Sequence, residues 1–556
     1  MVGPACRTRS QAEARCSAGR AWCGLLVLLV FLPAAPSFAQ APSLQATLGW
    51  DGWTRYGTWN PLAVEVRTEG ELSGWLVVEL PQEFGRQRVR LRYPIHLPQG
   101  GRSSRQVPVW LSDLRRPVRV SVVAGDGTEL ASQEVAPQPE AAVGGVVGYL
   151  GIHPPAPPAQ GPGGGRRVVV RLREELLPDY VAAYASLELL LVEELDERKL
   201  NEPQRRALQT WVLHGGRVVV TGPLRGGPLS SWLSVARELG TGAEAVGLRS
   251  AAGPLRELEP AGDARPVVEG SRTVAVGSRR GLGWVYAWAA GSQQVPPASP
   301  LWFLALPASG SREVPPEPES RPRLPLAPAA VGLGAYAVLW VLAVAAAGRR
   351  PWGWWWVAAV VAGSAAGMPV LADQVRQRAA PLEVRQVEVA VDGSARLYGW
   401  GYSRAPYAGN YTYSLPQAEA VSASGGFSEA EVTFFPDHTV VRVRQAAGER
   451  VTLYWEAEAE MQGWPAVEVE AGTASVRGTG VFGGVVFWGR RQAPLEQSGP
   501  ELWVASRWSA LEPEHPALLA FRWIRPEAAT IVEERPVVAL RRGDVPGWRV
   551  VVGKPR

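Results

Sequence analysis

The sequence predicts a multidomain protein: an N-terminal β-sandwich, a central α/β layered domain, a two-helix transmembrane hairpin and a C-terminal all-β region. Three observations predict it. The chain has 556 residues, too many for one core at roughly 150 residues per domain. Short runs of period-2 alternation fill both ends, which suits half-buried strands. Two uncharged runs of about 21 residues, each long enough to cross a bilayer, interrupt the chain between them. With 46% apolar and 20% charged residues, most of the chain has the composition of a folded protein. A net charge of +5 spread over this length, without a block of like charge, argues against nucleic acid as a partner.

Residues 1–39 read as a secretory signal peptide. Arg7, Arg9, Arg15 and Arg20 precede the apolar run Leu25–Leu32, which Pro33 and the small-residue site Ser37-Phe38-Ala39 follow. All three cysteines, Cys6, Cys16 and Cys23, lie in this segment. Cleavage after Ala39 leaves a chain with no disulfide, no thiolate ligand and no thiol nucleophile.

Residues 44–137 carry the first set of alternating runs: Leu62, Val64, Val66; Leu76, Val78, Leu80; Val89, Leu91, Tyr93; and Val118, Val120, Val122. The turn signal Gly125-Asp126-Gly127 separates strands in this β-sandwich. The segment Gly57-Thr58-Trp59-Asn60-Pro61-Leu62-Ala63-Val64 resembles the start of immunoglobulin-like modules in bacterial envelope proteins. Trp50, Trp53, Trp59 and Trp75 suit either packing between two sheets, the commoner use, or a stacking platform for sugars.

In residues 142–305 the pattern changes. Val146–Leu150, Val168–Leu172, Leu187–Val192 and Val218–Val220 are apolar runs of the kind covered on both faces in a parallel sheet. Pro154 to Gly165 forms a Pro- and Gly-rich loop. Before the last run lies a helix with Asn201 as cap, Gln204 returning the hydrogen bond and Pro203 in the first turn. Leu208, Trp211 and Val212 form its inward stripe, and Gly215-Gly216 ends it.

Taken with Leu177-Pro178-Asp179, Leu187 to Glu193 and Gly281-Leu282-Gly283-Trp284-Val285-Tyr286, this stretch resembles the class I glutamine amidotransferase-like fold, in the version found in bacterial membrane proteins. The resemblance covers roughly residues 142 to 300. Active members of that superfamily use a cysteine nucleophile activated by histidine. Here no cysteine follows residue 23, and the histidines of this region are His153 and His214. The resemblance therefore implies a degenerate domain, with the fold kept and the chemistry gone. His214 sits where a helix-end residue meets the last carbonyls.

Leu326 to Ala347 and Trp352 to Ala372 are the uncharged runs, read as transmembrane helices over 326–347 and 352–372. Trp352, Trp354, Trp355 and Trp356 cluster at the start of the second, where indoles favour the membrane boundary. The short connection Gly348-Arg349-Arg350-Pro351 permits only an antiparallel hairpin, so both soluble regions fall on one side. The signal peptide places that side outside the cytoplasm. The expected partners are membrane lipid, through the two helices, and other envelope or membrane proteins. Residues 380–556 return to alternation: Val387, Val389, Val391 before the hairpin signal Asp392-Gly393, then Val440–Val443, Val451–Trp455, Val481–Trp488 and Trp548–Val552.

A search for chemistry yields little. The chain has no phosphate-cradling G-x-x-x-x-G-K-[ST] loop, no H-E-x-x-H and no G-x-S-x-G elbow. Its five histidines, His96, His153, His214, His438 and His515, are scattered. Gly163-Gly164-Gly165 lacks the rest of a dinucleotide fingerprint, and Asp437-His438 reads as a turn after Pro436. Adjacent carboxylates such as Glu193-Glu194 are too common to rank. No catalytic, cofactor-binding or metal-ligating residue is assigned, and no cofactor. The expectation is a non-catalytic, membrane-anchored extracytoplasmic binding or scaffold protein of the bacterial envelope. The alternatives are an envelope glycan or peptide hydrolase and an accessory subunit of a membrane transporter.

Overall fold

A computed structural model describes residues 41–306 and 382–553, apart from 83–86, 114, 139–144, 161–165, 223, 233–234, 243–254, 261–264, 270–271, 290, 292–294, 406–407, 462–463, 471–472, 478–482, 525–527 and 542–546. Between the two parts it describes only 337–342, 344–345, 355, 357–359 and 362–363. The signal-peptide reading of residues 1–39 and the glycines 163–165 lie outside the described residues.

The N-terminal sandwich pairs a small sheet with a large one. Ser43–Leu48, Trp59–Arg67 and Arg102–Trp110 form a three-stranded antiparallel sheet in that order. The facing sheet has seven strands, and only four come from this region: Leu72–Pro81, Arg88–Leu97, Val118–Ala124 and Glu129–Val135. Gly409–Pro416, Glu429–Phe434 and His438–Gln445 complete it from the other end of the chain. At the seam Glu429–Phe434 runs parallel to Arg88–Leu97, with Glu429 opposite Arg88 and Thr433 opposite Arg92. Inward residues of both regions share one core, including Leu62, Leu76, Leu91 and Val120 on one side and Val432, Val441, Leu453 and Trp455 on the other. On the outer face Arg90 contacts both Glu79 and Glu429 at 2.7 Å, and Arg92 reaches Glu431 at 3.1 Å. These pairs are partly solvated, so they align the seam more than they stabilise it.

The central sheet has seven strands in the order Arg265–Glu269, Arg272–Arg280, Gly283–Trp288, Arg217–Val220, Leu187–Val192, Gly145–Leu150, Arg167–Arg171. The last five run parallel. Helix α1, Glu202–Leu213, covers one face through Ala207, Leu208, Trp211 and Val212. Its capping box is complete: Asn201 Oδ1 accepts from the Gln204 amide at 2.8 Å, and Gln204 Oε1 accepts from the Asn201 amide at 3.1 Å. Gly215, at φ 112°, lets the chain turn back into the next strand. On the opposite face Trp288 packs edge-on to Trp302 of the short helix Pro300–Ala305.

The C-terminal region builds a nine-stranded mixed sheet. Its centre is Ser394–Arg404, Glu383–Val391, Gly547–Val552 and Val537–Arg541 in that order. The expectation of an all-β region is corrected here: the helices Pro516–Ile524 and Ala528–Glu534 cover one face of this sheet. Ala517, Leu518, Ala520, Phe521 and Ile524 are buried, an i, i+3, i+4 spacing that a search for alternating runs passes over.

The larger correction concerns the membrane. Among the described residues the structure is mostly β, with 53% strand and 16% helix. No helix among the described residues is long and apolar enough to cross a membrane. The two-helix transmembrane hairpin, and contact with membrane lipid through it, is therefore not supported. The physical reason is that lack of charge measures partition, whereas a span also needs helix continuity. Pro328, Gly332 and Gly334 in the first run, and Gly353, Gly363, Gly367 and Pro369 in the second, all disfavour an unbroken helix.

The three regions lock together at two junctions. Trp59, fully buried, donates from Nε1 to Glu456 Oε1 at 3.0 Å and stacks on Tyr454 with centroids 5.9 Å apart. Ala182, from the central region, packs in the same cluster. At the second junction the Gly281 amide donates to Asp392 Oδ2 at 2.9 Å, and Arg535 donates to the Gly281 carbonyl.

Candidate functional site: a cleft between the sandwich and the central domain

The two sheets of the sandwich part between Arg88–Leu97 and Arg102–Trp110, and a cavity of about 350 Å³ opens there. That volume lies in the lower range of small-ligand pockets. Its floor is apolar: Val64, Val66, Leu76 and Ile95. Strand register explains the wall. Val66 pairs with Ser103 and Val64 with Arg105, so Ser103 and Arg105 point to the same inner face as the two valines. A serine and an arginine thus occupy positions that Val107 and Val109 fill with apolar side chains further along the strand. The Arg105 guanidinium lies over the Tyr93 ring, 5.0 Å from its centroid, and Nη1 donates to the Pro94 carbonyl at a long 3.4 Å. His96 stands at the exposed rim.

Asp179 and Tyr180 line the cavity from the central domain. They lie between two short 3₁₀ turns, Glu174–Leu176 and Val181–Ser186. Burial raises the Asp179 carboxyl above its ordinary value, and the Asn201 amide, 3.5 Å from Oδ1, partly opposes this. Asn201 therefore serves twice: its oxygen caps α1 and its nitrogen faces the cleft carboxylate.

A second arrangement sits at the carboxyl edge of the parallel strands. Gly145–Leu150, Arg167–Arg171, Leu187–Val192, Arg217–Val220 and Gly283–Trp288 take the spatial order 2-1-3-4-5 among themselves. The chain reverses direction across the sheet between Gly145–Leu150 and Leu187–Val192, and open α/β sheets bind ligands at such a point. There Glu193 Oε2 accepts from the amides of Ile152 at 2.8 Å and His153 at 3.2 Å, while Oε1 lies 3.1 Å from His153 Nδ1. Burial would raise this carboxyl, but the His153 ring and the two amides outweigh it and hold it below its ordinary value. A Cβ on Gly151 would lie 2.4 Å from Glu193 Oε2, and one on Gly222 would lie 1.7 Å from the Glu193 carbonyl oxygen. The strand ends are thus shaped around Glu193. Its carboxylate already occupies the concavity of amides where an external anion would sit.

The other residues singled out in the sequence stay apart. His214 is buried at the end of α1, its amide on the Thr210 carbonyl at 2.9 Å and its ring 3.3 Å from Ser394 Oγ. Asp437 and His438 form an exposed pair at 2.7 Å, with His438 stacked on Phe435. Trp50 and Trp59 are buried and Trp50 Nε1 donates to Ser186 Oγ, so neither offers a sugar platform. Trp75 lies beneath the Arg92 guanidinium, 4.6 Å from its ring centroid. Sequence reasoning missed Arg105, Asp179 and His96 as cleft residues. The available signal was the polar pair Ser103 and Arg105 in phase with Val107 and Val109.

A family model described as a domain of unknown function (DUF8726) matches residues 41–138. That match spans the sandwich strands and the cleft's apolar floor. No curated protein matches the chain.

Proposed function

We propose that this chain is an extracytoplasmic binding protein of the bacterial envelope that acts by holding a ligand and not by covalent chemistry. The observation that carries the reading is the cleft, where an apolar floor meets polar groups contributed by two regions of the chain. Such convergence is what a recognition site requires. The signal-peptide pattern of residues 1–39 supports the location. The resemblance of the central domain to the amidotransferase-like fold fits the same reading: all cysteines precede residue 24, and Glu193 fills the switch-point crevice.

The test is native mass spectrometry of the full-length protein purified from its own envelope, beside a Ser103→Trp variant whose indole would occupy the cleft. A bound mass present on the wild type and absent from the variant is expected. An identical spectrum for both proteins would sink the proposal.

A further inference from the structure

The cleft is lined by two side chains of opposite charge, Arg105 and Asp179, and among the described residues neither has a partner of opposite charge. Arg105 projects from the inner face of a sandwich strand and Asp179 from a loop of the central domain. Among the described residues Arg105 has no carboxylate partner; its contacts are the Tyr93 ring and the long bond to the Pro94 carbonyl. Among the described residues Asp179 has no cationic partner; its carboxylate accepts from the Asn201 amide. The two do not pair with each other either. Elsewhere in the protein comparable arginines are engaged: Arg90 with Glu79 and Glu429, Arg167 with Glu188, Arg396 with Glu419, Arg549 with Glu388. Two half-buried, opposite charges beside an apolar floor are incomplete by themselves, since each gains a partner of opposite charge only when something enters.

The pattern discriminates among ligand classes. A simple anion such as phosphate would satisfy Arg105 and be opposed by Asp179. A simple cation would do the reverse. A neutral sugar would leave both charges unmatched and gain little from Val64, Val66, Leu76 and Ile95. A zwitterion with an apolar body meets every wall. We infer that the cleft binds a short peptide with free termini and apolar side chains, its carboxylate on Arg105 and its ammonium on Asp179. This rests on the reading of the cleft as the ligand site. A volume of about 350 Å³ sets the scale at a few residues. His96 at the rim and Ser103 on the wall offer hydrogen-bonding groups to its peptide unit.

The test is isothermal titration of the full-length protein with the dipeptide Leu-Leu, N-acetyl-Leu-Leu and Leu-Leu-amide. The free dipeptide should bind, and blocking either end should weaken binding about tenfold or more, the worth of one charge-assisted hydrogen bond. Asp179→Asn should abolish the discrimination against the acetylated peptide, and Arg105→Gln that against the amide. Loss of selectivity at one end only is not a signature of misfolding, which would weaken all three probes together. Equal binding of the three peptides, or binding indifferent to Ser103→Trp, overturns the inference. Absence of Leu-Leu binding while a native mass still depends on Ser103 overturns it too, and leaves the proposed function standing.

Discussion

Arg396 is fully buried and still charged. Burial alone would lower its pKa, but the carboxylates of Glu419 and Glu456 hold it above its ordinary value. Its two terminal nitrogens donate to Glu419 at 3.0–3.1 Å, and Nη2 to Glu456 Oε2 at 3.4 Å. Removing one partner of such a group strands the others, so Arg396→Leu should cost about 3–5 kcal/mol in urea unfolding. Pairing it with Glu419→Gln should recover part of the loss, because one fewer carboxylate is left unmatched. Glu193 supplies a test against pH. Its folded pKa lies below the unfolded value, so its contribution is fully present above the ordinary carboxylate range and fades as pH falls through the depressed value. The difference in Tm between wild type and Glu193→Gln should be flat near neutral pH and narrow below about pH 4.3; a difference constant down to pH 2 would contradict the assigned contacts. Little of this was legible in the sequence. Glu193 looks like any of many carboxylates until the fold brings Ile152 and His153 to it, and Arg105 is a single charge in phase with the inward valines of an edge strand.

At the scale of elements, the sequence was most informative where the determining forces are local. The cap, turn and inward stripe of α1 depend on residues within a few positions of one another, and the structure places Asn201, Gln204 and Gly215 in those roles. The helices after residue 515 escaped notice because a strand-oriented reading of the region had no place for a 3.6-residue period. The apolar runs at 326–347 and 352–372 were read from hydropathy, which is summed over composition and does not weigh the helix propensity of each residue. The double use of Asn201 can be tested. Asn201→Ala removes the cap and should cost about 1 kcal/mol. Asn201→Ser keeps a capping oxygen but withdraws the amide from Asp179, so it should be nearer neutral in stability while altering the cleft. Equal destabilisation by both would show that the amide, and not the cap, carries the energy.

For the whole molecule, the sheet that joins residues 72–135 to residues 409–445 decides how the protein folds. A parallel seam between strands some 340 positions apart cannot form until most of the chain exists, which is the reason no local pattern announced it. The matched family segment, 41–138, therefore has an unfinished edge. Alone it would expose the backbone of Arg88–Arg92 and the apolar side chains that Val432, Val441 and Trp455 cover in the full chain. Open edges of that kind recruit other strands. Expressed alone, residues 41–138 should self-associate or unfold at lower urea concentration than the same strands in the full protein. Hydrogen exchange on Arg88–Leu97 would report this locally. Supplying residues 382–553 in trans should restore protection to those amides and give a co-eluting pair on size exclusion. A monomeric 41–138 fragment with unchanged protection would mean that the sandwich closes without its distant strands, and that the seam is an added contact instead of part of its core.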